Sequence, residues 1–143
     1  MSHLERALEI ATQAHDGQRD KTGRPYLEHC ERVADAVDTL DEKIVSYLHD
    51  VLEKSHGWSR ARLEAEGFSP AIVSAVDALT RREEEDDHSF VRRAGCNRLA
   101  RAVKRADLED NLRQASAAGL PQQKYREGLG ILDKEFGEPA RPQ

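Results

Sequence analysis

At 143 residues the chain is long enough to bury one core and too short for two ordinary domains. A formal net charge of -5, from 22 basic against 27 acidic residues, argues against binding polymeric DNA or RNA through its phosphates, which takes a concentrated basic face. Two cysteines outside any Cys-x-x-Cys pair, no apolar signal core after Met1 and no apolar run approaching ~18 residues lead us to expect a reduced, cytoplasmic protein that does not enter a membrane.

Apolar residues recur at helical spacing, from Leu4, Ala7, Leu8 and Ala11 to Tyr125, Leu129, Leu132 and Phe136, which predicts an all-α domain, a single compact helical bundle. His15 falls on the buried stripe of the first helix and reads as a core or supporting histidine. Pro25 can open a second helix through Val37, with Tyr26, Cys30, Val33 and Val37 on one face and His29 beside that stripe, at least partly buried. A third helix is predicted from about Asp41, as N-cap, to about Lys54. Ser59 can cap a short helix through Glu66, and Ser69-Pro70 starts another whose stripe is Ile72, Ala75, Val76 and Leu79 and which stops near Thr80. The charged run Arg81 to Asp87 cannot bury a face and reads as a solvated loop, with Arg81 and Arg82 as surface arginines. A last pair of helices covers roughly Arg98 to Gln114 and Gln122 to Phe136, joined through Gly119-Leu120-Pro121. The domain then occupies residues 1–136, and 137–143 form a frayed tail.

The third helix carries a His49-Asp50 doublet among aliphatic residues. Burying that carboxylate is costly unless something neutralises it, and a divalent metal is the natural partner; a core histidine bonded to its neighbour is the plain alternative. On a continuous helix His49 and Glu53 share a face, with Asp50 offset by about 100°. Lys104, Asp107 and Asn111 form a polar stripe beside Leu99, Val103 and Ala106, either turned into one space or lining a solvated face. Two histidines and two carboxylates from three helices make a borderline-hard donor set suited to Mn²⁺, Fe²⁺ or Zn²⁺, with positions spare for water and phosphate. His3, His56 and His88 lack partners at ligand spacing and read as surface residues.

Five segments in order carry a family resemblance: Ala14 to Gln18, Lys21 to His29, Leu48 to Glu53, Ala78 to Thr80, and Val103 to Leu112. On these the chain resembles the HD-domain superfamily of metal-dependent phosphohydrolases, close to the hydrolase domain of RelA/SpoT-type alarmone enzymes and their small stand-alone relatives. The resemblance implies a divalent metal, usually Mn²⁺, held by His29, His49, Asp50 and Asp107, and removal of pyrophosphate from the 3′ position of guanosine bis(diphosphate). It implies acid/base work by Glu53 and nucleotide contacts from Lys104 and Asn111. It also places Lys21 as a ligand-binding lysine, with Arg24 counted among the substrate-binding residues.

Two positions depart from the family pattern. Lys54 stands where an Asp usually follows the catalytic Glu. Asp20 stands where a guanine-stacking arginine often precedes the lysine, which leaves Arg19 and Arg24 as candidates for that stacking. Beside alarmone hydrolysis two alternatives follow: a catalytically weakened nucleotide-binding or sensing module, prompted by Lys54, and an HD phosphohydrolase for another phosphorylated metabolite, prompted by Asp20.

Overall fold

Capping chemistry sets most of the helix starts. Ser2 and Glu5 close a reciprocal capping box on α1 (His3–Ala14), and Thr39 with Glu42 does the same for α3 (Leu40–Leu48). Pro25 precedes α2 (Tyr26–Asp35), while Ser59 caps α5 (Arg60–Ala65) and Ser69, followed by Pro70, caps α6 (Pro70–Ala78). Asp86 caps α7 (Asp87–Gly95), and Asn97 caps the long α8 (Arg98–Ala118), which ends at Gly119 in the left-handed region at φ +68°. With α4 (Val51–Lys54) and α9 (Gln123–Phe136), these make nine α-helices among the described residues. The structure is a computed structural model described for residues 1–137, so the expected frayed tail lies, beyond Gly137, outside the described residues.

The all-α expectation holds, with three local corrections. The third helix starts from Thr39 rather than Asp41, because Thr39 has the extended backbone of an N-cap and its side chain accepts from the Glu42 N–H. That helix does not run unbroken to Lys54: His49 and Asp50 form a turn between α3 and α4, with Asp50 at φ -107° and ψ 0°. The Ser46 carbonyl, which in a regular helix accepts from the N–H of residue 50, here lies 2.6 Å from His49 Nδ1. Helix α7 was not anticipated, and it begins at the end of the charged run: Asp86 accepts from the Ser89 N–H, and Glu85 turns back to pair with Arg93 at 2.8 Å.

Helix α3 is the central strut, packed against α1, α2, α6 and α8. Ile10, Val33, Val45, Leu48, Val73, Val76 and Val103 meet there in the main core. Each such side chain contributes about 2 kcal/mol of transfer free energy. Helix α9 packs on α7 and α8 through a separate cluster of Val91, Leu108 and Leu132. Gly128 lets α9 approach α8 closely: a Cβ there would stand 3.0 Å from Leu108 Cδ1, so that side chain would have to shift. The bundle thus brings α2, the α3–α4 turn and α8 together on one side, with α7 and α9 forming an adjoining wall.

Candidate metal centre

Three pieces of backbone place the central side chains. His29 is in the first turns of α2, His49 and Asp50 sit in the α3–α4 turn, and Asp107 is midway along α8. All four are buried, and one ligand-type atom from each lies within 4.8 Å of the others. His29 Nε2 is 3.0 Å from Asp107 Oδ1 and 4.0 Å from Asp50 Oδ2. His49 Nε2 is 3.0 Å from Asp50 Oδ2 and 3.3 Å from Asp107 Oδ1.

The outer face of each imidazole decides what its inner face can do. His49 Nδ1 stands 2.6 Å from the Ser46 carbonyl, which can only accept, so that nitrogen carries the hydrogen. His29 Nδ1 is likewise held at 2.6 Å by the Asp110 carboxylate. Asp110 is itself fixed by Arg32 at 2.8 Å and by Gln114 at 2.7 Å. Both Nε2 atoms face the two carboxylates at hydrogen-bond distance, so each is held by a proton there and, once that proton is displaced, turns a lone pair toward a cation between the carboxylates. The donor set, two imidazole nitrogens and two carboxylates with tautomers fixed from outside, therefore fits a divalent metal ion.

The electrostatics agree. Burial disfavours charge on His49, but Asp50 and Asp107 outweigh it and push the imidazole well above its ordinary range; His29 moves up for the same reason, through Asp107 and Asp110. Burial raises Asp107, yet Lys104 and the two histidines hold its carboxyl well below the usual carboxylate range, and Asp50 is lowered chiefly by His49. The cluster is built to attract positive charge.

Above it opens a cleft of about 180 Å³. Lys21, Lys104, Asn111, Glu53 and Lys54 all reach it, as do Arg81 ahead of α7, Phe90 on α7, and Lys124 and Tyr125 on α9. Lys104 is buried, its ammonium 4.3 Å from the Phe90 ring centre, so the solvated-face alternative fails for it. Asn111 donates to Asp107 Oδ1 at 3.0 Å and accepts from Lys21 Nζ at 2.5 Å. Glu53 is exposed at the rim, with no hydrogen-bond or ion-pair partner among the described residues.

Arg24 is not brought to this cleft. Its guanidinium is exposed and paired to Glu28 at 2.5 Å, one turn along the chain. Arg19 does not line the cleft but a neighbouring recess shared with Tyr26 and Lys54, where it donates to the Gly23 carbonyl at 2.9 Å. Asp20 has a folding role: its Oδ1 accepts from Thr22 and from the Arg24 N–H, and its Oδ2 pairs with Arg32 at 3.0 Å, which shapes the loop that presents Lys21.

Tyr26 and Asp110 were missed as site residues. Periodicity puts Tyr26 on the apolar face of its helix, but its hydroxyl donates to Asp50 Oδ2. Asp110 is one turn beyond Asp107, and that i+3 spacing on α8 is the signal that could have found it. His15 is buried outside the four-residue cluster, with Nδ1 2.8 Å from Gln18 Oε1.

Comparison with known proteins agrees with this geometry. Residues 7–120 match the family described as HD domain. A solved structure of a metazoan ortholog of SpoT, described as hydrolysing ppGpp and acting in starvation responses, superposes with a TM-score of 0.78 at 22% identity, over 98% of this chain and 89% of that one. At that identity the likeness concerns the fold. No curated protein sequence matches the chain.

Proposed function

The chain belongs to the HD-domain superfamily of metal-dependent phosphohydrolases, and from that premise we propose that it removes pyrophosphate from the 3′ position of guanosine 3′,5′-bis(diphosphate) or a close nucleotide analogue. The observation that carries this reading is the buried four-residue cluster, three of whose members, His49, Asp50 and Asp107, line a cleft walled by Lys21, Lys54, Arg81, Lys104 and Lys124, on a protein whose net charge is -5. Concentrating basic groups beside a cation site in an otherwise acidic protein suits a small polyphosphate. The ppGpp hydrolysis described for the structural neighbour supports the choice of substrate.

His29, His49, Asp50 and Asp107 would hold the metal, and Mn²⁺ suits their mixed nitrogen and oxygen donors. When bound, such an ion lowers the pKa of water and stabilises negative charge on phosphoryl oxygens. Asp110 and the Ser46 carbonyl keep the two imidazoles in the tautomer that can ligate. Glu53, whose carboxylate is unpartnered at the rim, would take a proton from attacking water and return it to the leaving oxygen. Lys104, beside Asp107, and Lys21, steadied by Asn111, would bind phosphate oxygens, and Asn111 and Tyr125 line the side where a nucleoside can rest.

The test is pyrophosphate release from a panel of guanine and adenine nucleotides by manganese-loaded protein. Guanine bis(diphosphate) should be turned over fastest, His49→Ala should be inactive, and Glu53→Gln should lose about 10²-fold to 10⁴-fold in kcat. Nucleotide binding without turnover would favour the sensing alternative, for which the positive charge of Lys54 next to Glu53 is the specific observation. Equal rates on both bases would favour a different phosphorylated metabolite, in keeping with Asp20 being buried in its own loop rather than offered to a base.

A further inference from the structure

Four of the five basic side chains around the cleft have an oxygen partner at their charged end. Lys21 donates to Asn111 Oδ1 at 2.5 Å, Lys104 stands 3.4 Å from Asp107 Oδ2, and Lys124 is 3.9 Å from Asp87 Oδ1. Arg81 donates to the Glu85 carbonyl at 3.0 Å and to Asp87 Oδ1 at 2.5 Å. Among the described residues Lys54 alone of the five has none.

Lys54 is nonetheless held. Its backbone N–H donates to the Asp50 carbonyl at 2.9 Å, and its own carbonyl accepts from Gln18 Nε2 at 2.8 Å. Its ammonium lies over the Tyr26 ring, 5.1 Å from the centre, and the hydroxyl of that same ring donates to Asp50 Oδ2. Tyr26 therefore acts as a spacer, with the Asp50 carboxylate at its hydroxyl end and the Lys54 charge on its face. A ring face attracts a cation without accepting its hydrogens in directed bonds, so the three N–H donors of Lys54 remain available to a ligand.

We infer that Lys54 is a specificity-determining residue: its ammonium binds the outer phosphate of a diphosphate whose inner phosphate sits at the cluster, so the site selects diphosphate over monophosphate groups. A phosphate at the four-residue cluster is already next to Asp50 and its neighbours. The Lys54 donors, set off by the Tyr26 ring, meet the next phosphate along the chain. Lysine suits this position because a compact ammonium with rotatable donors follows a freely turning terminal phosphate without demanding one orientation. This inference rests on the phosphohydrolase reading above for where the inner phosphate lies.

Calorimetric titration of manganese-loaded protein with inorganic pyrophosphate and with orthophosphate tests it. Lys54 is exposed, so substitution spares the core. Lys54→Met should weaken pyrophosphate binding about tenfold, the worth of one charged hydrogen bond, and orthophosphate binding less than about threefold, while Lys54→Arg should recover most of the loss. Equal weakening of both anions, unchanged pyrophosphate affinity, or no pyrophosphate binding by the unmodified protein would overturn the inference. Selective pyrophosphate binding that depends on Lys54, in a protein that hydrolyses no nucleotide, would uphold it while rejecting the hydrolase reading.

Discussion

At the scale of single residues, the centre is a set of side chains each held by a second one. Asp110 shows this best. It touches no cluster carboxylate, yet it fixes His29 Nδ1 at 2.6 Å and is itself clamped by Arg32 and Gln114. Asp110→Asn should therefore weaken manganese affinity by about 10-fold to 100-fold, the usual range for losing such a supporting partner, with the fold retained; calorimetric metal titration checks this, and an unchanged affinity would mean that His29 is oriented by packing alone. The four cluster residues were legible in sequence because buried polar side chains interrupting apolar stripes stand out on helical periodicity. Asp110 and Tyr26 were not, because their roles depend on which way a neighbouring ring nitrogen or carboxylate faces. Arg24 shows the opposite failure, since a nearby Glu28 one turn along captures it.

At the scale of elements, two departures from the sequence reading have physical causes. The stripe Ile44, Val45, Leu48, Val51 continues across the doublet as if one helix ran through, so periodicity could not reveal the turn at His49 and Asp50. At that turn the His49 side chain takes the Ser46 carbonyl that the backbone would otherwise use. Helix α7 was hidden by its charged surroundings, its buried face being only Phe90, Val91, Ala94 and Gly95. Helix α9 completes the wall opposite, and its approach to α8 depends on Gly128. Gly128→Val would drive a branched side chain into Leu108 and should cost about 1–3 kcal/mol, seen as a lower thermal midpoint with the manganese site intact. A midpoint equal to that of the unmodified protein would show that α9 can shift to accept the larger residue.

At the scale of the whole molecule, acid should loosen the fold through its structural carboxylates. Burial would raise Asp20, but its bonds from Thr22, Arg32 and the Arg24 N–H bring it from an ordinary 3.8 down to about 2; Arg93 chiefly brings Glu85 from 4.5 to about 2. Depressed values of this kind contribute stability that is complete above the unfolded values and is lost as pH falls from about 4.5 toward 2. Asp20→Asn with Glu85→Gln should lower the midpoint at neutral pH and flatten its fall over that window. A slope matching that of the unmodified protein would assign acid sensitivity to other groups. No helix among the described residues is long and apolar enough to cross a membrane.

In the proposed centre one divalent ion is held by four side chains from three separate stretches of chain. Anomalous diffraction at the manganese edge from crystals grown with Mn²⁺ tests it most directly. A single strong peak is expected, bounded by His29 Nε2, His49 Nε2, Asp50 and Asp107, at distances of roughly 2.0–2.3 Å, with no such peak in His49→Ala. A peak elsewhere, or none at this cluster in the unmodified protein, would contradict it.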